Sequence, residues 1–534
     1  MAKKKKRILI LGAGIMQGPV IHNAKLMGLE TIVIDGDPLA PLVSEADRFE
    51  QVDLKDIHTI ETLAKKLKID GGLDGVITAG TDFSASVAFA AEKLNLPGIS
   101  HETALDASDK ERMRKRFREA GLPSPAFMVF SGEAASIELP FPYPVVVKPV
   151  DNMGSRGCRR VENNGELRDA VETALRFSRS GRVIVEEYME GPEFSVDALV
   201  YRGEITICGL ADRHIFFPPY FIEMGHTMPS SISLKDQKSL LDLFIRGIKS
   251  LKIDNGAAKG DIKLTSKGPM IGEIAARLSG GFMSGWTYPY ASGMNPAKGA
   301  LYIALGKKPK GLNPGRNWTS AERAFISIPG LVRSIEGLDT ARNVPGIKDL
   351  FLRTGPGNRI SFPENNVSKA GNLISASADR LTAVQAAEKA VKMVLIRLAA
   401  PDMETEKFLA GPIETVRIFP PPAYVLDAGL LEQLAKIAPG TVMTAGSIGT
   451  VRAIIPFPAF TESNLTDYMG RSLKETMEAV EKLSGLELKE RYGNSSGSSF
   501  EPILGREFWT ALIRGGYQGA VYYLDSQSLS EGIP

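Results

Sequence analysis

Cysteine and histidine are scarce in this chain of 534 residues, which has two cysteines, Cys158 and Cys208, and five histidines. Two cysteines cannot build a disulfide framework or a four-thiolate zinc site, and the histidines lack the spacing of metal ligands. A disulfide scaffold is therefore excluded. The composition fits a reducing cytosol, so we expect a cytoplasmic protein.

Net charge is also nearly absent, because 64 Lys and Arg residues stand against 62 Asp and Glu residues and leave +2. This surplus gives no general electrostatic grip on nucleic acid or on an anionic membrane. No run of 18 apolar residues occurs, and the N-terminus has no signal-peptide core. We therefore expect small-molecule partners, no nucleic acid and no membrane, and we leave a homo-oligomer open.

The chain has enough apolar residues, 43%, beside 24% charged residues, to form a globular protein of three or four domains. Residues 7–108 alternate short Val/Ile-rich stretches with amphipathic ones, which predicts a parallel sheet covered by helices. A glycine turn at residues 12–18 and Asp35 suit a dinucleotide site. The third glycine comes one residue late, so a tight turn with some anion affinity explains this segment equally well.

The pattern of elements changes near residue 109, where a charged helix begins. Residues 109–316 mix strands and helices as an α+β domain does. Strands and a helix over 317–405 predict a lobe that closes over the middle domain. Residues 413–534 have elements of their own, and we expect an accessory α/β domain of unassigned role there.

A β-branched strand delivers Lys148 to a loop of small residues, 152–157. Glycines let backbone N–H groups approach an anion closely, and Ser155 and Arg156 add further donors. A loop that covers phosphate is one interpretation. An ordinary hairpin turn with an incidental lysine is the other.

Two carboxylates, Glu186 and Glu187, end the next strand, and a Gly191-Pro192 break precedes a new strand at Glu193. Such a break exposes main-chain groups that can hold a planar base, with a nearby carboxylate for ribose hydroxyls. Acidic residues at strand ends are also commonly just solvated, which is the other interpretation.

The third pattern is a hairpin predicted to centre on Lys267, which places Asp261 directly opposite Glu273. Carboxylates that face each other across two strands repel unless a cation lies between them, and a hard divalent ion takes oxygen ligands. The sequence therefore predicts a magnesium site. Neutralisation of the pair by Lys263 and Arg277, as a surface charge ladder, is the alternative. We expect four residues on the opposite, apolar face: Ile262, Leu264, Met270 and Ile274.

Together the lysine before a glycine-rich loop, the strand-end acids and the paired acids before Arg277 resemble the ATP-grasp superfamily over residues 7–400. The nearest likeness within it is to carboxylate–amine ligases of the amino-acid and peptide ligase type. The resemblance implies an ATP-grasp fold of α/β and α+β character. It also implies that residues 1–108 form a Rossmann-like pre-ATP-grasp domain, followed by the ATP-grasp domain and its C-terminal lobe.

The resemblance also implies roles for the residues of the nucleotide site. The lysines and the loop would contact the ATP phosphates, the segment after the buried strand would hold adenine, and one acid would hold ribose. These residues are Lys110, Lys148, Ser155, Arg156, Glu186, Glu187, Met189 and Glu193. Glu187 and Met189 would act through their main chains.

Asp261 and Glu273 would ligate Mg²⁺, with Mn²⁺ as an alternative ion. Arg277 would steady an acyl phosphate, and Glu223 and His226 would face the acceptor, although His226 as a structural cap is equally compatible. The implied reaction joins a carboxylate to an amine and releases ADP and phosphate. Many family members have Asn where this chain has Ala275, which leaves the number of metal contacts open.

Three other functions are weighed against this one. A bicarbonate-using or carbamoyl-phosphate-forming carboxylase would share the ATP site. A non-catalytic nucleotide sensor is supported only by Ala275. An NAD-dependent oxidoreductase leaves the motifs between Lys148 and Arg277 unexplained.

Overall fold

The computed structural model describes residues 5–132, 138–414, 418–438, 450–455, 460, 463–492 and 504–530. The chain divides into two compact units. The first contains residues 1–216, 223–322 and 376–384. The second contains residues 217–222, 323–375 and 385–534.

The first unit begins with a parallel sheet in the order β3-β2-β1-β4. Its strands are β1 (Arg7–Leu11), β2 (Glu30–Asp35), β3 (Arg48–Gln51) and β4 (Gly75–Thr78). Its helices are α1 (Gly18–Leu26), α2 (Ile57–Gly71), α3 (Ser84–Lys93) and α4 (His101–Asp106). β1 is wholly buried, as expected for a parallel strand with helices on both faces, and the predicted Rossmann-like arrangement is confirmed. Asp35 accepts a hydrogen bond from the Ala13 N–H, 2.8 Å away, so this acid ties the glycine turn to β2.

A second, antiparallel sheet follows in the order β5-β8-β6-β7. Its strands are β5 (Phe127–Ser131), β6 (Val145–Pro149), β7 (Arg159–Val161) and β8 (Arg182–Glu187). Two helices accompany it, α5 (Lys110–Glu119) and α6 (Asn164–Phe177). Alternate residues of β6 are fully buried, which turns Lys148 to the face away from the apolar core.

Long strands complete the first unit, side by side in the order β13-β12-β9-β10-β11. They are β9 (Glu193–Tyr201), β10 (Glu204–Phe216), β11 (Ile222–Met228), β12 (Asn255–Thr265) and β13 (Gly268–Ala275). The helices of this part are α7 (Leu234–Ser250), α8 (Tyr288–Ser292) and α9 (Pro296–Ala304). α7 buries an apolar stripe on β12, where Gly260 leaves room for the ring of Phe244; a Cβ there would lie 2.6 Å from that ring.

The β12–β13 hairpin confirms one part of the predicted register and corrects another. Asp261 and Glu273 are opposite each other. The turn, however, has two residues between Thr265 and Gly268, so the residues next to it pair one position away from the predicted register. A bulge after Asp261 restores the predicted register for Asp261 and Glu273. The prediction that Met270 shares the apolar face is therefore wrong, because Met270 pairs with Lys263.

The second unit contains shorter strands and most of the remaining helices. The strands from the unit boundary onward are β14 (Thr319–Phe325), β15 (Gly330–Glu336), β16 (Ile347–Leu352), β17 (Arg359–Ile360), β18 (Gly371–Ser377), β19 (Leu395–Leu398), β20 (Thr450–Ile455) and β21 (Glu487–Tyr492). The helices are α10 (Leu338–Arg342), α11 (Arg380–Met393), α12 (Met403–Leu409), α13 (Ala428–Ala435), α14 (Leu473–Ser484) and α15 (Arg506–Ser530).

Three features organise the second unit. β15 lies between β17 and β19, β16 pairs with β18, and β20 runs parallel to β21. α15 bends at Gly516, whose φ of 62° places it in the left-handed region. A large apolar core is built around the fully buried Trp509, Tyr424 and Phe460. Within the described ranges, no helix combines the length and the apolar character needed to cross a membrane.

Candidate active site

Lys110 contacts the loop of residues 152–157, and Lys148 lies on the strand that leads into this loop. Asp109 caps α5 by accepting the N–H of Arg112, so the helix begins at Lys110. The Lys110 Nζ donates to the main-chain oxygen of Asn152, 2.7 Å away. Lys148 reaches from β6 and places its Nζ 2.7 Å from Glu186 Oε2. The structure therefore brings both predicted phosphate lysines to one end of this sheet.

The loop itself contains three residues in the left-handed backbone region. Gly154, Ser155 and Gly157 have φ values of 68°, 59° and 66°. Left-handed residues in a short loop turn successive N–H groups inward, and glycine adopts this conformation without a steric cost. Ser155 does so as a non-glycine residue, a strain that is found preferentially at functional sites. The Arg156 Nη1 donates to the Met153 carbonyl oxygen, 3.4 Å away.

Glu186 lies in a buried ion-pair network that sequence reasoning did not find. Its second oxygen accepts from Nε of Arg114 at 2.8 Å, and Arg114 is fully buried on α5. Burial alone would raise the pKa of Glu186, but Arg114 and Lys148 outweigh it and lower that pKa to about 2. The carboxylate is therefore ionised at neutral pH, and it fixes the position of Lys148.

The segment after β8 is contacted by the side chain of Lys263. The Glu187 N–H donates to the Ala126 carbonyl oxygen, and the Met189 carbonyl oxygen accepts from Lys263 Nζ at 3.0 Å. That same Nζ lies 4.9 Å from the ring centre of Tyr188 and 3.7 Å from Glu193 Oε2. Lys263 thus links the segment expected to hold adenine with the acid expected to hold ribose.

The two acids on the hairpin form a partly buried anionic pair among cations. Asp261 accepts from Ser195 Oγ at 2.8 Å and from the ammonium of Lys259. Burial opposes ionisation of both acids, but the cations around them hold both pKa values below the ordinary range. For Glu273 these cations are Lys110, Lys259 and Lys148.

Two ionised carboxylates in direct opposition are a fitting oxygen donor set for a hard divalent ion. In the part of the chain that the structure describes, no group of three or more His, Cys, Asp and Glu residues could hold a metal ion. An ion held by Asp261 and Glu273 would need further ligands, which phosphate oxygens and water would supply.

Arg277 follows the hairpin and has an unsatisfied donor. Its Nη1 donates to the Leu278 carbonyl oxygen at 3.2 Å. Its Nε is buried without a hydrogen-bond partner among the described residues. A buried guanidinium donor without a partner is costly, and an anionic ligand would satisfy it.

Glu223 and His226 are brought together on β11. The His226 Nε2 lies 3.4 Å from Glu223 Oε2, and its Nδ1 lies 2.9 Å from Glu322 on β14. Burial would lower the pKa of His226, but Glu223 and Glu322 raise it to about 8. Gly281 lies against this pair, since a Cβ there would be 2.7 Å from Glu223 Oε1.

This geometry can be compared with known proteins. Residues 141–285 match the family model described as ATP-grasp domain, and residues 324–399 match the one described as L-amino acid ligase C-terminal domain 2. The chain contains an ATP-grasp domain. Its paired acids, its loop and Lys148 all fall inside the matched range of that ATP-grasp domain.

The relatives found by sequence are distant. An uncharacterized protein y4rH from Sinorhizobium fredii is 23% identical over 400 residues, which are 73% of this chain and 82% of that protein. Carnosine synthase 1 of Gallus gallus is 24% identical over 411 residues, and the C-terminal section of the carbamoyl phosphate synthase large chain of Methanocaldococcus jannaschii is 25% identical over 382. These matches cover 70% and 64% of this chain, but only 44% and 58% of those two relatives.

Solved structures agree on the fold. An L-amino acid ligase from Bacillus licheniformis superimposes with a TM-score of 0.65 at 20% identity, covering 74% of this chain and all of that one. Phosphoribosylglycinamide synthetase from Anaerococcus prevotii gives a TM-score of 0.59 at 22% identity, with 74% and 100% coverage. The predicted ATP-grasp fold is confirmed.

Several residues in contact with the predicted site residues were not predicted. Arg114 lies four residues after Lys110, so the two side chains share a helix face. This spacing was a signal, but several other basic residues on the same helix obscured it. Arg213 donates to Glu223 of the neighbouring strand, a contact that the sequence around Arg213 does not reveal. Glu322 has no local signal, because its partner His226 is 96 residues away. Ala275, the departure from the family pattern, pairs with Lys259 across the hairpin.

Proposed function

We propose that this ATP-grasp protein is an ADP-forming carboxylate–amine ligase. The observation that carries the proposal is the pair Asp261 and Glu273, which neighbouring cations keep ionised. These cations are Arg213 and Lys259 for Asp261, and Lys110, Lys259 and Lys148 for Glu273. A paired-acid site beside phosphate-binding cations is what transfer of a terminal phosphoryl group requires.

In this proposal the lysines and the loop of residues 152–157 hold the distal phosphates of ATP in line with a substrate carboxylate. The carboxylate oxygen attacks the γ-phosphorus, the bond to the bridging oxygen of ADP breaks, and an acyl phosphate forms. The amine then attacks the acyl carbon, the C–O bond to phosphate breaks, and the amine loses a proton. Mg²⁺ held by Asp261 and Glu273 would neutralise charge on the phosphate oxygens.

Arg277 is proposed to act on the transferring group. Its buried Nε has no protein partner among the described residues, so an acyl phosphate or tetrahedral oxyanion would satisfy it. Glu223 and the His226 imidazolium are proposed to face the acceptor side. The expected contacts of Glu187, Met189 and Glu193 with the nucleoside belong to the same proposal.

The function is tested by screening pairs of carboxylates and amines for phosphate release from ATP. We expect ADP and phosphate as products, and release that needs both substrates. Hydroxylamine added with the right carboxylate should give a hydroxamate, because it intercepts the acyl phosphate. AMP and pyrophosphate as stoichiometric products would contradict the proposal.

A bicarbonate-using reaction is the second candidate, favoured by the similarity to the carbamoyl phosphate synthase large chain. It predicts ATP cleavage that depends on bicarbonate and proceeds without any organic carboxylate. Ala275 keeps a non-catalytic sensor as a third outcome, which predicts nucleotide binding without turnover. The cytoplasmic location, the homo-oligomer and the domain boundaries near 108, 316 and 412 remain predictions.

A further inference from the structure

Arg213 on β10 contacts three carboxylates from three other strands. Its Nη1 donates to Glu193 of β9 and lies 3.1 Å from Asp261 Oδ1 of β12. Its Nη2 donates to Glu223 Oε2 of β11, 2.7 Å away. The side chain is 9% exposed, so these contacts are shielded from water.

Each of the three acids also has a second cationic neighbour. Lys263 lies near Glu193, Lys259 contacts Asp261, and His226 lies near Glu223. Arg213 is the group they share. A guanidinium is a planar fork whose donors point in fixed directions, so it can hold three acceptors in a defined arrangement, whereas the three donors of a lysine rotate about a single atom.

These acids have different expected partners. Under the proposed function, on which this inference rests, Glu193 serves ribose, Asp261 serves the metal and Glu223 serves the acceptor. We propose that Arg213 is a positioning residue that couples the acceptor side of the site to the metal carboxylate. When Glu223 withdraws, the guanidinium loses an anchor and turns toward Asp261, where it competes with a bound cation.

Variants that conserve charge separate the effect of side-chain position from the effect of net charge. Glu223→Asp keeps the negative charge and draws the carboxylate back by one methylene group. The probe is ADP, titrated calorimetrically into the full chain with Mg²⁺ or with EDTA. We expect Glu223→Asp to weaken binding of MgADP by about fivefold or more, and to leave binding of metal-free ADP within about twofold.

In an Arg213→Gln background, the same Glu223→Asp change should alter MgADP affinity by less than about twofold, since the connecting group is gone. Arg213→Lys serves as a second background, because lysine keeps the charge and loses the fork. The matched control is Glu204→Asp. Glu204 is an exposed acid on the same strand as Arg213, and it pairs with Lys308. This substitution should change neither affinity.

A third arm needs no change at Arg213. Glu193→Asp and Glu223→Asp both loosen the same guanidinium, so their effects on MgADP affinity should be non-additive by about threefold or more. Three results would overturn the role of Arg213 and leave the nucleotide site intact. They are additive effects of the two substitutions, an equal effect of Glu223→Asp with and without Arg213, and equal weakening of MgADP and metal-free ADP. Failure of the unchanged protein to bind MgADP would overturn the nucleotide site and this inference together.

Discussion

Glu186 is a buried carboxylate whose ionisation is set by two cations, Arg114 and Lys148. Because its pKa in the folded protein, about 2, lies below the ordinary 4.5, its stabilising effect is complete above pH 4.5. The effect is lost as the pH falls toward 2. The shift corresponds to about 3 kcal/mol of unfolding free energy.

We therefore predict that Glu186→Gln lowers the free energy of unfolding by about 3–5 kcal/mol at pH 7, because it leaves two buried cations without their anion. Denaturant unfolding monitored by circular dichroism measures this. Glu172→Gln, on an exposed face of α6, is the control and should change little. A variant as stable as the unchanged protein would show that the buried network is not required.

For His226, the predicted dependence of stability on pH has the opposite sign. Its pKa is raised to about 8, so the stability it contributes is complete below pH 6.5 and is lost as the pH rises through 8. The shift corresponds to about 2 kcal/mol. NMR titration of the five histidines, with His226→Gln for assignment, should show one ring with a midpoint near 8. A His226 midpoint below 6.5 would contradict the geometry described above.

Glu273 tests the metal assignment. We expect Glu273→Gln to reduce ATP turnover by at least about a hundredfold, because a cation at the site loses one of two protein oxygens. The melting temperature should stay within a few degrees, since the amide keeps the side-chain volume. Glu119→Gln on exposed α5 surface is the control. Turnover within twofold of the unchanged protein would rule out the assignment.

At the scale of elements, the β12–β13 hairpin shows what local sequence can and cannot specify. Alternation and a turn signal place Asp261 opposite Glu273. They do not reveal the bulge, where Arg114 Nη2 donates to the Gly272 carbonyl oxygen at 2.6 Å. The two residues are 158 positions apart, so the contact that accompanies the bulge is invisible in either segment alone.

The end of α11 is another element held by a distant residue. Arg471 is almost wholly buried and donates to the carbonyl oxygens of Lys392 and Val394 at 2.9 and 3.1 Å. The Lys392 carbonyl group is one of those that a helix end leaves without internal partners, and Val394 directly follows α11.

We predict that Arg471→Met lowers the stability of the second unit by about 3 kcal/mol, because buried carbonyl groups lose their donor and Asp467 loses its cation. Thermal unfolding followed by calorimetry measures the loss. Lys474→Met, exposed on α14, is the matched control. Equal melting temperatures for the two variants would contradict the capping role.

At the scale of the whole molecule, the strands β1, β2 and β4, the paired acids and the lysine before the loop were predictable, because each rests on short-range patterns. The short β3 has no apolar run and was not predicted. The ion pairs of Arg114, Arg213 and Glu322 were not, because their partners come from other strands and helices. In the second unit, the contacts between the segment after residue 412 and the preceding lobe likewise could not be predicted from the sequence.

These contacts are extensive. Gln518 donates to Ser327 Oγ at 2.8 Å and to the Ile396 carbonyl oxygen at 3.1 Å, and Asp525 accepts from Arg397 at 2.6 Å. We predict that a chain ending at residue 412 loses the cooperative unfolding of the second unit, because these buried groups and the core around Trp509 are removed. Calorimetry of the shortened chain tests this. An unchanged transition would show that the lobe is stable alone.

The most direct test of the proposed ligase activity follows oxygen atoms. A carboxylate that supports turnover, labelled with ¹⁸O, is incubated with ATP, Mg²⁺ and its amine, and the phosphate released is analysed by mass spectrometry. If the carboxylate attacks the γ-phosphorus and the amine then attacks the acyl carbon, one labelled oxygen must appear in the phosphate, with ADP as the nucleotide product. Label recovered in AMP, or unlabelled phosphate alongside the joined product, would contradict this account.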